Sequence, residues 1–198
     1  SLGAQVMQAR SIEVAKRFNV PIHVRSSFSK EEGTMIVKDT DKMEDVVIRG
    51  VTSNKKEAKL TICNVPDRPG VAARIFGELS KGGINIDMIV QNVSHTRQTD
   101  ISFTVPKGDL KKALRLTKQV ARNIKAGAVL ADRNIARVSV VGVGMKSHPG
   151  VAAKMFKALA ENKINIEMIS TSEISISCII KKKQANSAVK AIHKKFSL

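Results

Sequence analysis

Tryptophan and tyrosine are absent, and phenylalanine occurs only six times in 198 residues. A base-stacking platform for nucleic acid would have little to work with. Cysteine occurs twice, as Cys63 and Cys178. Both sit in apolar runs that read as strands, so they are expected to be small buried hydrophobes rather than a disulfide. That fits a reducing cytosol, and the expected location is cytoplasmic. His23, His95, His148 and His193 are scattered, with no Cys or His at ligand spacing, so no metal site is expected. No apolar run is long enough to cross a bilayer, and the first five residues lack the apolar core of a secretory signal. Acidic residues are also scarce: 17 Asp and Glu stand against 34 Lys and Arg, a formal charge of +17. Such a charge admits nucleic acid as a partner. The basic residues are spread along the chain, however, with Lys181-Lys182-Lys183 the densest run. The reading is a solvated basic surface, with no nucleic acid and no membrane as partner.

What is present is a core-forming composition and an internal repeat. The chain is 42% hydrophobic and 26% charged, enough apolar material for one large domain or two small ones. Pro69-Gly70-Val71-Ala72-Ala73 returns as Pro149-Gly150-Val151-Ala152-Ala153, and Ile84-Asn85-Ile86-Asp87-Met88-Ile89 as Ile164-Asn165-Ile166-Glu167-Met168-Ile169. At this offset of 80, twelve of the twenty-one positions from 69 to 89 are identical, so the chain holds two copies of one module.

Periodicity gives the module's elements. Residues 58–65 alternate as a strand. Asp67-Arg68-Pro69-Gly70 opens a helix with Asp67 as a possible N-cap, and Val71, Ile75 and Leu79 form its apolar stripe. Gly82-Gly83 stops it. Ile84, Ile86, Met88 and Val90 alternate as a second strand, a hairpin over 92–99 leads to a third at 100–105, a second helix runs from Leu110 to Ile124, and 128–131 form a short fourth strand. The order βαββαβ is a ferredoxin-like α+β sandwich. The second copy runs from a strand at 135–143 through strands at 164–172 and 175–180, ends on a helix, and lacks its fourth strand. Val46 to Val51, after the acidic loop Asp39 to Asp45, is the candidate to complete it. The first copy is then inserted in the second. Residues 1–37 belong to neither copy. They read as an amphipathic helix and two short strands, around 21–24 and 35–37, that flank a turn at 29–33. Such elements cannot close a core alone.

Chemistry concentrates at the strand-to-helix turn. Gly142-Val143-Gly144 follows a strand, but neither a third glycine nor a P-loop Lys-Ser/Thr follows, and no catalytic grouping assembles. After Pro69, the N–H groups of Gly70, Val71 and Ala72 favour an anion such as an amino-acid carboxylate. Asp67 and Gln91 offer partners for an ammonium. The alternative is that Asp67 only caps the helix and Gly70 only relieves crowding. In the second copy Ser147 and His148 replace Asp67 and Arg68, while Thr171, Ser172 and Glu173 lie nearby.

Asp67-Arg68-Pro69-Gly70-Val71-Ala72, residues 83–92 and Thr99 to Val105 resemble the first ACT domain of the aspartate kinases. Val138 to Gly142, residues 148–152 and Ile169 to Ile174 resemble the second. Arg10 to Ala15, Val20 to Phe28 and Gly33-Thr34 resemble the end of that family's catalytic domain. The resemblance implies a regulatory region, or a separate regulatory subunit, with catalytic-domain tail 1–45, first ACT domain 53–133, and second ACT domain 46–52 plus 134–198. It implies feedback control by lysine, threonine or both over ATP-dependent phosphorylation of aspartate. This chain would carry no catalytic residue and no cofactor, with ATP and Mg belonging to the complete enzyme. Its partners would be a second copy of the chain, joined through the ACT domains, and the kinase catalytic domain or subunit. One effector site is implied at Asp67, Gly70, Ala72 and Gln91, closed by Asn165 and Ile166 of the partnering unit. A second is implied at Ser147, His148, Gly150 and Val151 with Asn85, Asp87, Thr171, Ser172 and Glu173. The family often has a basic residue where this chain has Ser175. The competing reading is a basic RNA-binding module of RRM type, which shares the βαββαβ order but needs aromatics on its central strands.

Overall fold

The computed structural model describes residues 7–37, 48–92, 97–142 and 150–198. In the first copy, β4 (Glu57–Pro66), β5 (Ile89–Gln91), β6 (Gln98–Pro106) and β7 (Val129–Asp132) form an antiparallel sheet in the order β5-β6-β4-β7. Helices α2 (Val71–Lys81) and α3 (Leu110–Asn123) cover one face. Strand alternation sends Leu60, Ile62, Ile101, Phe103 and Val105 to that face, where they meet Val71, Ile75, Leu79, Ala113 and Val120. Phe103 is fully buried, with its ring edge-on to Phe76 at 5.6 Å.

The second copy repeats this with β8 (Ile135–Val141), α4 (Val151–Glu161), β9 (Met168–Thr171), β10 (Ser175–Lys181) and α5 (Ala185–Phe196). Its fourth strand comes from upstream of the first copy: β3 (Gly50–Asn54) pairs with β8, giving the order β3-β8-β10-β9. The strand therefore sits later than the expected Val46 to Val51 and runs past residue 52. Its ladder starts where Arg49 N–H donates to the Val141 carbonyl at 2.8 Å, and ends at Asn54 opposite Arg137. Ile48, just before it, is buried in the second core. Residues 38–47, which include the acidic loop and Val46-Val47, lie outside the described residues.

Two other strands are shorter than their alternation predicts. Asp87 and Met88 both face Thr104, whose carbonyl accepts from the Asp87 N–H at 3.2 Å and whose N–H donates to the Met88 carbonyl at 3.0 Å, so the regular ladder begins only at Ile89, opposite Phe103. Residues 164–167 likewise precede β9, although Ile164 is still buried. At the N-terminus, α1 (Ala9–Arg17) is followed by the β1 (Ile22–Val24) and β2 (Thr34–Ile36) hairpin. Gly33 sits at φ 79° in its turn, and a Cβ there would meet the Val24 carbonyl at 2.2 Å.

The faces of the two sheets that carry no helices meet each other. Met88, Val90, Ile135, Met168 and Ile179 form a cluster between them. Around it the contacts are reciprocal. The ladders place Leu60 opposite Phe103 and Val138 opposite Cys178, which makes Lys59 and Arg137 equivalent positions. Arg137 pairs with Asp87 at 2.6 Å, and Lys59 pairs with Glu167, the counterpart of Asp87. The hydroxyl pairs match too: Thr61–Ser102 at 2.8 Å and Ser139–Ser177 at 2.7 Å. Arg137 also holds the buried Glu57 at 2.9 Å, and Asn54 donates to the same carboxylate at 2.6 Å. Burial pushes the Glu57 carboxyl up against the pull of Arg137, and neighbouring Asp87 adds to the rise. Burial also raises Glu167, but the Lys181 and Lys59 ammoniums outweigh it and hold this carboxyl below its ordinary 4.5.

Because the folded pKa of Glu167 is depressed, its ionisation contributes stability above pH 4.5 that is lost as pH falls through the lower folded value. Glu167→Gln is expected to lose about 1–3 kcal/mol at neutral pH, less than a fully buried pair would cost. It should also lose less further stability than the parent on acidification. Urea melts at neutral and acid pH check this; parallel pH profiles would refute it.

Candidate effector site

The turn between β4 and α2 builds a surface cavity of about 340 Å³, and Asp67, Gly70, Ala72 and Gln91 all line it. The structure thus brings four residues named from two segments around one cavity. Sequence reasoning missed Arg68, which lines the same cavity beside Asp67. The signal was present in the Asp67-Arg68 dipeptide, whose opposite charges suit the two ends of an amino-acid zwitterion.

The local backbone explains the shape. Gly70 is the N-cap of α2 in the left-handed region at φ 87°, and no side chain caps the helix. Asp67 is thus not the cap. Its own N–H is anchored to the Arg97 carbonyl at 2.9 Å, and its side chain stays exposed. Nor does Gly70 relieve crowding, since a Cβ there would meet nothing within 4 Å; the positive φ is what requires glycine. The uncapped first turn leaves donors and the positive end of the helix dipole at the cavity wall, a setting that favours a carboxylate. Gln91 arrives from β5, held opposite Ile101 in the ladder.

Asn165 and Ile166 lie in the other unit, between α4 and β9, and do not line this cavity. Asn165 is exposed, and Ile166 packs on the second core. Their counterparts Asn85 and Ile86, together with Asp87, line a separate cavity of about 300 Å³ with Asn54, Lys56 and Glu57. There Asp87 is already committed to Arg137.

The remaining residues of the second site fall on separate elements. Ser147 and His148 lie outside the described residues. Gly150 caps α4 at φ 97° as Gly70 caps α2, and Val151 is buried beneath it. Thr171 ends β9. Ser172 and Glu173 follow in the turn to β10. Ser175 closes that turn: its N–H donates to the Ser172 hydroxyl at 3.1 Å, and the two hydroxyls lie 2.8 Å apart. The Ser172 hydroxyl is therefore engaged locally, where the resemblance leads one to expect a basic side chain at position 175.

Among the described residues no three His, Cys, Asp or Glu cluster as metal ligands, and no helix is long and apolar enough to cross a membrane. Burial pushes the Cys178 thiol up to about 12, which suits an inert core residue. Phe103 disposes of the RNA-binding alternative. It sits on the helix-covered face with no exposed surface, so it cannot stack a base.

The ACT domain family model matches residues 63–120 and 138–196, one stretch in each copy. An aspartokinase from Pseudomonas aeruginosa is 50% identical over 200 residues, covering all of this chain and 48% of the relative. The chain thus spans about half the length of the curated relatives it matches. Among solved structures, the aspartokinase alpha and beta subunits align at TM-score 0.72 and 44% identity over 76% of this chain and 99% of that one. The ligand-free regulatory subunit of aspartate kinase from Thermus thermophilus aligns at TM-score 0.73 and 40% identity over the same shares. Two matched copies in one chain, and near-complete coverage of a regulatory subunit, place this chain in the ACT-domain family as an aspartokinase regulatory region.

Proposed function

We propose that this region senses lysine, threonine or both, and passes their occupancy to a catalytic domain or subunit that phosphorylates aspartate with ATP. The observation that carries the reading is the cavity at the β4–α2 turn, which joins Asp67, Arg68, Gln91 and an uncapped helix start in a space suited to a small zwitterion. Asp67 and Gln91 would take the effector ammonium or hydroxyl, and the α2 amides with Arg68 its carboxylate. Asn165 and Ile166 would close the site from the other ACT unit of a second chain. The second site would use Ser147, His148, Gly150 and Val151, with Thr171, Ser172, Glu173, Asn85 and Asp87 from their separate elements.

Open edges support pairing of two chains. Strands β5 and β9 are terminal in their sheets, and each exposes an isoleucine at the equivalent position: Ile89 at 50% and Ile169 at 43%. The domain division follows the same reading. Residues 1–45 would be the tail of the catalytic domain; the expected division at 52/53 moves to follow Asn54, the end of β3, so that 55–133 would be the first ACT domain and 46–54 with 134–198 the second. ATP and Mg belong to the phosphorylation step, and no residue of this chain is assigned to hold them. Two thiols outside any disulfide fit a cytoplasmic location.

The chain is expected to be a homodimer or larger, and light scattering that finds only monomer with effector present would count against the split site. Lysine or threonine at about a hundred times its dissociation constant should add roughly 2.7 kcal/mol to stability. Absence of any melting shift with either amino acid would remove the sensor reading. Asp67→Ala should weaken effector binding by roughly 1.5–3 kcal/mol, the loss of a charge-assisted contact. Since Asp67 caps nothing, the unliganded melting temperature should stay nearly unchanged. In a complete enzyme, Gln91→Ala should relieve feedback inhibition and keep the uninhibited rate. A variant that remains fully inhibited, or loses its basal rate, would sink the assignment of Gln91.

A further inference from the structure

A third concavity, of about 700 Å³, lies away from the proposed effector sites. It is lined by Lys55, Asp132, Asn134, Asn186 and the run Lys181-Lys182-Lys183. Three turns converge on it: β3 to β4, β7 to β8, and β10 to α5. They are cross-braced rather than loose. Lys182 N–H donates to the Asn134 carbonyl at 2.8 Å, and Lys107 N–H donates to the Lys56 carbonyl at 2.8 Å. The Lys107 ammonium donates to the Lys55 carbonyl at 2.6 Å, and the Lys55 ammonium to Asn186 Oδ1 at 2.7 Å. These bonds fix a frame of cations in advance of any ligand.

The charges in this frame are unbalanced. Asp132 and Glu167, both 2.8 Å from Lys181, neutralise that lysine. Among the described residues no carboxylate pairs with Lys55, Lys182 or Lys183. Burial lowers the Lys107 ammonium, and the nearby Lys182 and Arg133 cations lower it further, which reports like charges crowded together. Helix α5 also starts here with no side-chain cap and no acid in its first turn.

We propose that this cleft binds a polyphosphate anion, a linear di- or triphosphate that is free or carried on a nucleoside, through Lys55, Lys182 and Lys183 with the amides of Asn134 and Asn186. Several ammoniums in one concavity, none of them matched by a carboxylate among the described residues, suit a ligand with several negative charges. A zwitterionic amino acid has no net charge to offer them. Lysine serves such ligands as a point charge, and the flanking amides add directional donors. No aromatic lines the cleft, so it holds phosphate without stacking a base, which separates it from a single-stranded nucleic-acid groove.

Calorimetric titration of the 198-residue chain with inorganic tripolyphosphate, at physiological salt and without divalent metal, tests this. The wild type should bind. Lys182→Ala/Lys183→Ala should bind at least about tenfold more weakly. A control of equal charge change, Lys118→Ala/Arg122→Ala on the exposed side of α3, should stay within about twofold. If the first variant melts early, Lys182→Gln read by the same titration replaces it. ATP in a second arm separates the sources: equal affinity assigns recognition to the phosphates alone, and tighter ATP binding assigns a nucleoside carrier. Equal losses in both double variants would overturn the proposal, because they would mean diffuse attraction to a basic chain. So would no binding of either ligand at millimolar concentration, or a single-stranded oligonucleotide that binds more tightly than tripolyphosphate through the same lysines.

Discussion

Arg137 reaches out of the second ACT unit and holds two carboxylates of the first, Glu57 at 2.9 Å and Asp87 at 2.6 Å. The way the two units face each other depends on this contact. Glu57 is buried, and removing the cation beside a buried carboxylate costs about 3–5 kcal/mol, a large share of an ordinary domain's stability. The reciprocal pair, Lys59 with Glu167, fixes the same geometry from the other side. Between them the methionines Met88 and Met168 fill the seam, flexible side chains suited to an interface between two sheets that are related but not identical. The apolar cluster supplies attraction without direction, and the ion pairs supply the register.

The interleaved chain path adds a second constraint. Strand β3 lies on the second sheet, yet the whole first unit, from β4 to β7, intervenes before its partner β8. The second core also takes Ile48 from before β3. Only five residues form β3, but without them β8 would be an open edge. Closing this pair requires a loop as long as a domain, which costs entropy that grows slowly with length and is repaid once β8, β10 and α5 are in place. The two units are therefore halves of one folding problem rather than beads on a string.

The repeat made most of this readable before any coordinates. Identity at an offset of 80 over the α2 and α4 region fixed the module, and Val71, Ile75 and Leu79 became the core stripe that their spacing predicts. The cavity around Asp67 and Gln91 was legible because the same local turn builds most of it. What escaped has physical reasons. The kinship of Lys59 with Arg137 is hidden because their offset is 78, not 80, so the identity scan does not align them. Alternation overpredicted β5 because side-chain burial continues through Met88, while Asp87 and Met88 both bond Thr104 and so break the one-to-one ladder. Asp67 looks like a cap by composition, but the left-handed Gly70 starts the helix three residues later. The basic run at 181–183 read as a solvated surface, since no local pattern shows that Lys55 and Asn134 come to meet it.

The two repeats have kept one framework and diverged in what they place at its turns. At the first, Asp67 and Arg68 offer both signs of charge beside an uncapped helix. At the second, the equivalent Gly150 conformation persists, so the backbone device for a carboxylate is retained while the adjoining side chains differ. The seam joins these turns by an indirect route. Asp87 and Glu167 belong to the segments that lead from each helix toward its edge strand, and each is tied by charge to the opposite unit's first strand. A displacement of either segment must therefore stretch an ion pair that the other unit supplies. Under the proposed reading those segments border the effector sites, so two sites that share no residue still share an energy through Arg137 and Lys59. Such coupling acts equally in both directions, and its size is bounded by what it costs to loosen a part-buried ion pair.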